Sequence, residues 1–188
     1  MAMLRKRIFP RFSFIALIAS ASLLFGCVGH DARSARTAIE TKELTRGVQA
    51  TGQISLDDIR SGRLHGVRTI IDLRPDGETP DQPSAHEVEQ VATAARIRFH
   101  YIPVAPGAIP EGAIAGLQSV LVDHAGPYLL YCRSGSRATR TWALSEASRE
   151  SGLDAATIRA AVAAAGFSSA EIDAAIDARV AARRPASR

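Results

Sequence analysis

From residue 47 onward the apolar positions recur in two rhythms, one suited to strands and one to helices. VQATGQIS, after Gly47, predicts a short strand and a turn. VRTIIDL (67–73) is a continuous apolar run rich in β-branched residues, which predicts a buried strand. RFHYIPV (98–104) and PYLLYC, ending at Cys132, predict two more. SLDDIRSGRLHG reads as a weak helix with Ser55 as its N-cap, and RPDGETPDQPS as a loop heavy in Pro, Gly and Asp. SAHEVEQVATAAR has helical spacing, with Ser84 and Glu87 forming a capping box. After the turn APGAIP, Pro110 suits the first position of a helix reaching about His124, with Ile114, Leu117, Val120 and Leu121 on one face. A further helix is predicted from about Gly135 to Glu150.

The tail from Gly152 predicts two Ala-rich helices. The first runs from about Asp154 to Ala165; the second starts at Ser168, where Glu171 would complete a capping box, and lines Ile172, Ile176 and Val180 on one face. Strands alternating with helices argue for an α/β domain of three layers, a mostly parallel central sheet flanked by helices, with this pair as a C-terminal helical extension. Ligands in such sheets bind beyond the carboxyl ends of the strands. Cys132 falls at such an end.

Ahead of the domain the pattern changes. Arg5, Lys6, Arg7 and Arg11 precede the apolar run FSFIALIASASLLF and then Gly26 and Cys27, which reads as a secretory signal over residues 1–26. The run is too short for a convincing membrane span. LLFGC resembles a bacterial lipobox, which implies lipid on Cys27 and a membrane-anchored, exported protein; the alternative is ordinary cleavage after Ala19, Ser20 and Ala21. Residues 27–46 are polar without a sustained period and read as a tether, leaving 47–150 as the domain and 151–188 as the extension.

Charge matters only after that division. The chain has 23 basic and 19 acidic residues, but the four basic ones before Cys27 have no acidic counterpart, so the rest is balanced. A nucleic-acid partner is not expected, because the basicity lies in the part removed. With Cys27 lipidated, Cys132 is the remaining thiol and cannot form an internal disulfide. The histidines, at 30, 65, 86, 100 and 124, lack metal-ligand spacing, and neither metal nor cofactor is expected.

The stretch CRSGSR, residues 132–137, concentrates the chemistry. A strand ends, a loop turns at Gly135 and a helix begins, so the amides of residues 133–137 can converge on one point, as nests and helix N-termini do for anions. The same field stabilises a thiolate. Arg137 can place a bidentate fork on an oxyanion above the sulfur. Three basic residues at a helix start (Arg133, Arg137 and Arg140) oppose its dipole, and an anion explains them better than local stability does. The plainer alternatives are a small buried thiol filling space and a solvated arginine cluster. Arg74, at another strand end, could reach the anion or pair with Asp76 or Glu78, whereas Trp142 and Leu144 suit core packing.

The stretches GQIS, TIIDLRPDGE with the following DQPS, FHYIPV and YCRSGSRAT with WAL carry a wider likeness. Through them the core from about Gly47 to Ala147 resembles the phosphatase-like domain of bacterial beta-lactamase hydrolase-like proteins, related in fold to dual-specificity protein phosphatases. The resemblance implies a protein tyrosine phosphatase-like fold, Cys132 as nucleophile, and Arg137 with the loop amides as phosphate binders. Arg133, Ser134, Gly135 and Ser136 would line the cradle. Two departures follow. The spacing is C-x4-R, as in rhodanese sulfurtransferases, rather than the C-x5-R of tyrosine phosphatases, and Ala138 stands where a hydroxyl commonly follows the arginine, with Thr139 next to it. Ala105 and Pro106 occupy the place of the general acid, so Glu111, Asp72 or Asp76 would have to donate the proton. The expected activity is an exported cysteine-dependent hydrolase of phosphoesters acting through a phosphocysteine. The rival readings are a sulfurtransferase carrying a persulfide on Cys132 and a non-catalytic oxyanion-binding module.

Overall fold

A computed structural model describes residues 38–183; the signal read over 1–26, Cys27 and the first part of the tether lie outside them. Eleven elements follow one another among the described residues. The strands are β1 (Lys42–Thr45), β2 (Val48–Thr51), β3 (Thr69–Asp72), β4 (Arg98–Tyr101) and β5 (Tyr128–Tyr131). The helices are α1 (Leu56–Arg60), α2 (Ala85–Ala94), α3 (Glu111–Asp123), α4 (Ser136–Ser148), α5 (Ala155–Ala164) and α6 (Asp173–Ala181). One five-stranded sheet in the order β1-β2-β5-β3-β4 is parallel except for the antiparallel β1–β2 pair. The α/β reading of the sequence is what the chain forms.

Pleating divides the core. Successive strand residues face opposite sides of a sheet, so Ile70, Leu129 and Tyr131 pack with Ile59, Val88 and Ala92 of α1 and α2. Ile71, Leu130 and Cys132 pack on the other side with Leu117, Trp142, Ile158 and Ile176 from α3, α4, α5 and α6. Trp142 and Leu144 are buried there, as core residues. The predicted capping box of Ser84 with Glu87 is present, and Ser55, predicted as an N-cap, forms a capping box as well, closed by Asp58.

Three expectations need correction. The segment read as tether to residue 46 contains β1, an edge strand with Lys42 and Glu43 exposed and Leu44 alone turned into the core. An edge strand with one buried side chain carries little hydrophobic signal. Pro110 is the N-cap of α3 rather than its first residue. The last helix starts at Asp173, not Ser168. Glu171 does not close a capping box; it pairs with Arg140 of α4 at 2.9 Å, and burial of Ile172 shapes the approach to α6.

The described part of the tail belongs to the same compact unit as the sheet. Besides its apolar contacts it is fastened by Arg183. That guanidinium donates to the carbonyls of Glu146 and Ala147 in the last turn of α4 and of Gly152 and Leu153 just beyond it, all at 2.8–2.9 Å.

Candidate active site

The chain leaves β5 at Tyr131 in the middle of the sheet, with β2 on one side and β3 on the other. Cys132 follows at once, fully buried, its sulfur accepting a hydrogen bond from the Gly135 N–H at 3.2 Å. Gly135 takes a left-handed conformation (φ 91°) and caps α4. A Cβ there would stand 2.9 Å from Phe167 Cζ and 3.3 Å from the Thr51 backbone, so only glycine fits without displacement. The same economy applies at Gly52, where a Cβ would meet the Arg133 carbonyl at 3.3 Å. That carbonyl accepts the Gln53 N–H at 3.3 Å, which ties the loop to the end of β2. Arg133 and Ser134 are exposed and Ser136 is half-buried, so the loop presents its polar groups outward around the sulfur.

Arg137 sits in the first turn of α4 and is held from two directions. Its Nη1 lies 2.6 Å from Glu78 Oε1, its Nη2 donates to Oε2 at 2.8 Å, and Nη1 also donates to the Val104 carbonyl. Glu78 in turn accepts from Arg74 Nε at 2.9 Å. Arg74 is 4% exposed and spends its other donors on Gln53 Oε1 (2.8 Å) and Thr79 Oγ1 (3.1 Å). Of the roles open to Arg74, the structure takes the salt bridge to Glu78. The Arg137 guanidinium, with Arg74 behind it, holds the Glu78 carboxyl below the usual carboxylate range despite some burial. Glu78 keeps Arg137 more firmly charged than an ordinary arginine; burial opposes this, and the neighbouring Cys132 sulfur adds to it. Sequence reasoning missed Glu78 as part of the site. Its i,i+4 spacing from Arg74 was visible, but nothing local connects it with an arginine 59 residues on.

The three candidate acids are engaged elsewhere. Asp72 is 1% exposed and pairs in register with Tyr131, so alternation puts its carboxyl on the α1–α2 side of the sheet, whereas Cys132 packs on the other. It accepts the Arg74 N–H at 2.8 Å. Burial pushes Asp72 up to about 6, against the pull of the Tyr131 phenol and the Arg74 N–H. The Tyr131 phenol, raised by burial and by Asp72, makes no well-formed hydrogen bond although it lies within the influence of Asp72 and Gln53. Asp76 accepts the Ala85 N–H at 2.8 Å at the start of α2, and Glu111 is ion-paired with Arg179 of α6. After β4, where Ala105 and Pro106 stand, the group that reaches the site is the Val104 carbonyl. Thr139 is buried with its hydroxyl unpaired.

The remaining features lie off the loop. His100 and His124 pack at 4.6 Å between ring centroids, and burial lowers His100, with His124 and Arg98 adding to it. Among the described residues no three His, Cys, Asp or Glu side chains gather as a metal site. A cavity of about 270 Å3 lined by Thr45, Val48, Tyr128 and Arg149 sits at the amino ends of β2 and β5, the end of the sheet away from Cys132.

Comparison with known proteins gives consistent results. The family described as "Beta-lactamase hydrolase-like protein, phosphatase-like domain" matches residues 40–149. A beta-lactamase hydrolase-like protein of Xylella fastidiosa is 34% identical over 104 residues, covering 55% of this chain and 24% of that protein. One from Agrobacterium fabrum is 35% identical over 96 residues, covering 51% and 22%. The chain thus spans about a quarter of the length of these curated relatives. Among solved structures, a candidate phosphatase from Neisseria meningitidis Z2491 is 25% identical with a TM-score of 0.63, over 73% of this chain and 96% of that one. Tk-PTP in its active form shares the fold at 14% identity, with a TM-score of 0.57 over 77% and 97%.

The Asp72 carboxyl makes folding depend on pH in a defined direction. Its folded value lies above the unfolded one, so the folded chain binds the proton more tightly. Its contribution favours folding fully below about pH 4 and is lost as pH rises through about 6, by on the order of 3 kcal/mol at most. Asp72→Asn keeps an acceptor for the Arg74 N–H without the charge. Urea denaturation is expected to find it more stable than the parent near pH 7.5 and equal to it near pH 4. Equal stabilities at both would show that the carboxyl is not strained by burial.

Proposed function

This chain belongs to the phosphatase-like domain family of beta-lactamase hydrolase-like proteins and is a phosphatase-like hydrolase, and on that premise we propose that it cleaves phosphoesters through Cys132. One observation carries the reading: the Cys132 sulfur lies under the Gly135 N–H and beside a guanidinium fixed by Glu78. In the first step the sulfur attacks phosphorus, an S–P bond forms, and the ester P–O bond breaks toward the leaving oxygen. Water then attacks the phosphocysteine, the S–P bond breaks, and phosphate and the thiolate are released. Glu78 and Val104 occupy Nη1 and Nη2 of Arg137, leaving its Nε edge for the transferring oxygens. Loop amides add oxyanion stabilisation.

With Asp72, Asp76 and Glu111 engaged elsewhere, the leaving oxygen departs without a positioned proton donor. Loss of general acid help typically costs 10²–10⁴ in rate. Turnover is therefore slow, and activated esters such as aryl phosphates react best. A second reading is supported by the short six-residue loop over a fully buried sulfur, a ring suited to a persulfide. In it the Cys132 thiolate attacks the outer sulfur of a donor such as thiosulfate, and the donor S–S bond breaks with release of sulfite. A thiophilic acceptor then takes the outer sulfur of the persulfide and frees the thiolate. Binding an oxyanion without turnover is the remaining alternative, supported by the same engaged acids.

The amino-terminal segment supports export and a lipid anchor on Cys27, which would hold the domain at a membrane surface outside the cytoplasm. Labelling cells with a fatty-acid analogue is expected to mark the protein and to fail with Cys27→Ser; labelling that persists in the variant would remove the anchor from the reading.

Mass spectrometry of protein quenched with an aryl phosphate or with thiosulfate is expected to show one phosphoryl group on Cys132 from the first and no added sulfur from the second. Cys132→Ser should abolish aryl phosphate turnover. A sulfur adduct with no phosphoryl adduct would replace hydrolysis by sulfur transfer. Glu78→Gln releases the fork from its anchor, and a comparable misplacement of a catalytic group costs about 10²-fold. A loss of that order in kcat/KM is expected for aryl phosphates, and unchanged kinetics would take Glu78 out of the machinery.

A further inference from the structure

Next to the Cys132–Arg137 loop, on its β2 side, lies a cavity of about 370 Å3. Its apolar wall comes from three distant places: Ile39 ahead of β1, Ile54 after β2, and Phe167 in the turn between α5 and α6. Ser134 of the loop, two residues beyond Cys132, forms part of the same lining, with Thr51 and Gln53 from the end of β2. The volume is of the size that encloses a small organic group.

Phe167 is fixed in place. Its Cζ occupies the space that a side chain at Gly135 would need, and its N–H donates to the Val162 carbonyl at 3.1 Å. Downstream, the Arg140–Glu171 ion pair and buried Ile172 hold the same turn against α4. Yet the ring is only half-buried, and its open part faces the cavity. A rigid aromatic surface bordering an oxyanion cradle gains contact with an apolar group at little cost in order. The charges along the rim narrow the choice. Lys42 is already paired with Glu40, and Asp58 with Arg63 at 3.0 Å, so the lining offers no unpaired cation. A second phosphate on the substrate would find no free cation to pair with there; a neutral ring needs none.

We propose that this cavity holds the organic group of a phosphomonoester, a neutral ring of aryl size, with Phe167 of the C-terminal extension as a specificity-determining residue. The proposal rests on the reading that the Cys132–Arg137 loop holds the phosphoryl group. Phe167 and Ile39 lie outside the 40–149 stretch that matches the family, so the preference belongs to this chain rather than to the shared domain.

Phosphonates test it without turnover. Calorimetry of the unmodified chain is expected to show phenylphosphonate binding about tenfold tighter than methylphosphonate, a difference of about 1.4 kcal/mol. Phe167→Ala should bring the two within about threefold of each other by weakening phenylphosphonate alone, and Ile39→Ser, elsewhere on the lining, should act in the same direction. Equal affinities in the parent, no binding of either probe, or a parallel loss of both in Phe167→Ala and Ile39→Ser would overturn the proposal. Phenyl selectivity without Cys132-dependent hydrolysis would sink the hydrolase reading and leave the subsite. Hydrolysis without selectivity would do the reverse.

Discussion

Glu78 stands between two guanidiniums, and the geometry of the site depends on that bridge. It joins the loop after β3, the start of α4 and, through Arg137, the chain after β4. Cationic groups so close would repel without the carboxylate between them. With it, a partly buried arginine has a fixed orientation beside the sulfur before any substrate arrives. That fixity is the form electrostatic catalysis requires, since dipoles and charges already in place need no reorganisation during the reaction. Removing one member of such a group leaves a charge without its counterpart in a poorly solvated place, so the three residues stand or fall together.

Much of the framework was legible because it is written in local patterns. The β-branched run at Ile70 and Ile71, the N-cap at Ser55, the capping box at Ser84, and the strand-loop-helix around Gly135 each draw on residues a few positions apart. What escaped was nonlocal. β1 has one buried residue and is defined by its pairing with β2, so its sequence looks like linker. Ser168 and Glu171 have the spacing of a cap, but Arg140 on α4 takes the glutamate. The link from Arg137 to Glu78 joins the segments that follow the neighbouring strands β5 and β3, which share no periodicity. The placement of Asp72 could have been read from strand alternation, since Ile71 and Asp72 must face opposite ways, once the registers of β3 and β5 were known.

The site pairs a phosphatase-like fold with a loop one residue shorter than the tyrosine phosphatase spacing and with its acidic neighbours committed to structure. Asp76 serves the start of α2, Glu111 serves the packing of α6, and Asp72 serves the turn at Arg74. Each is held by its own partner, and a proton donor would have to break that contact to act. Under the proposed reaction the outcome would be governed by how well the leaving group carries its own charge, which would link the surroundings of Cys132 to the kind of ester cleaved. The curated relatives are about four times as long as the matched region.

Arg183 satisfies carbonyls that precede it by 30–37 residues. During vectorial synthesis the end of α4 emerges long before its fastener does, so the nascent chain carries open acceptors there until the tail follows. Those four bonds can form only once α6 has been made, so the order of synthesis places them after every strand of the sheet.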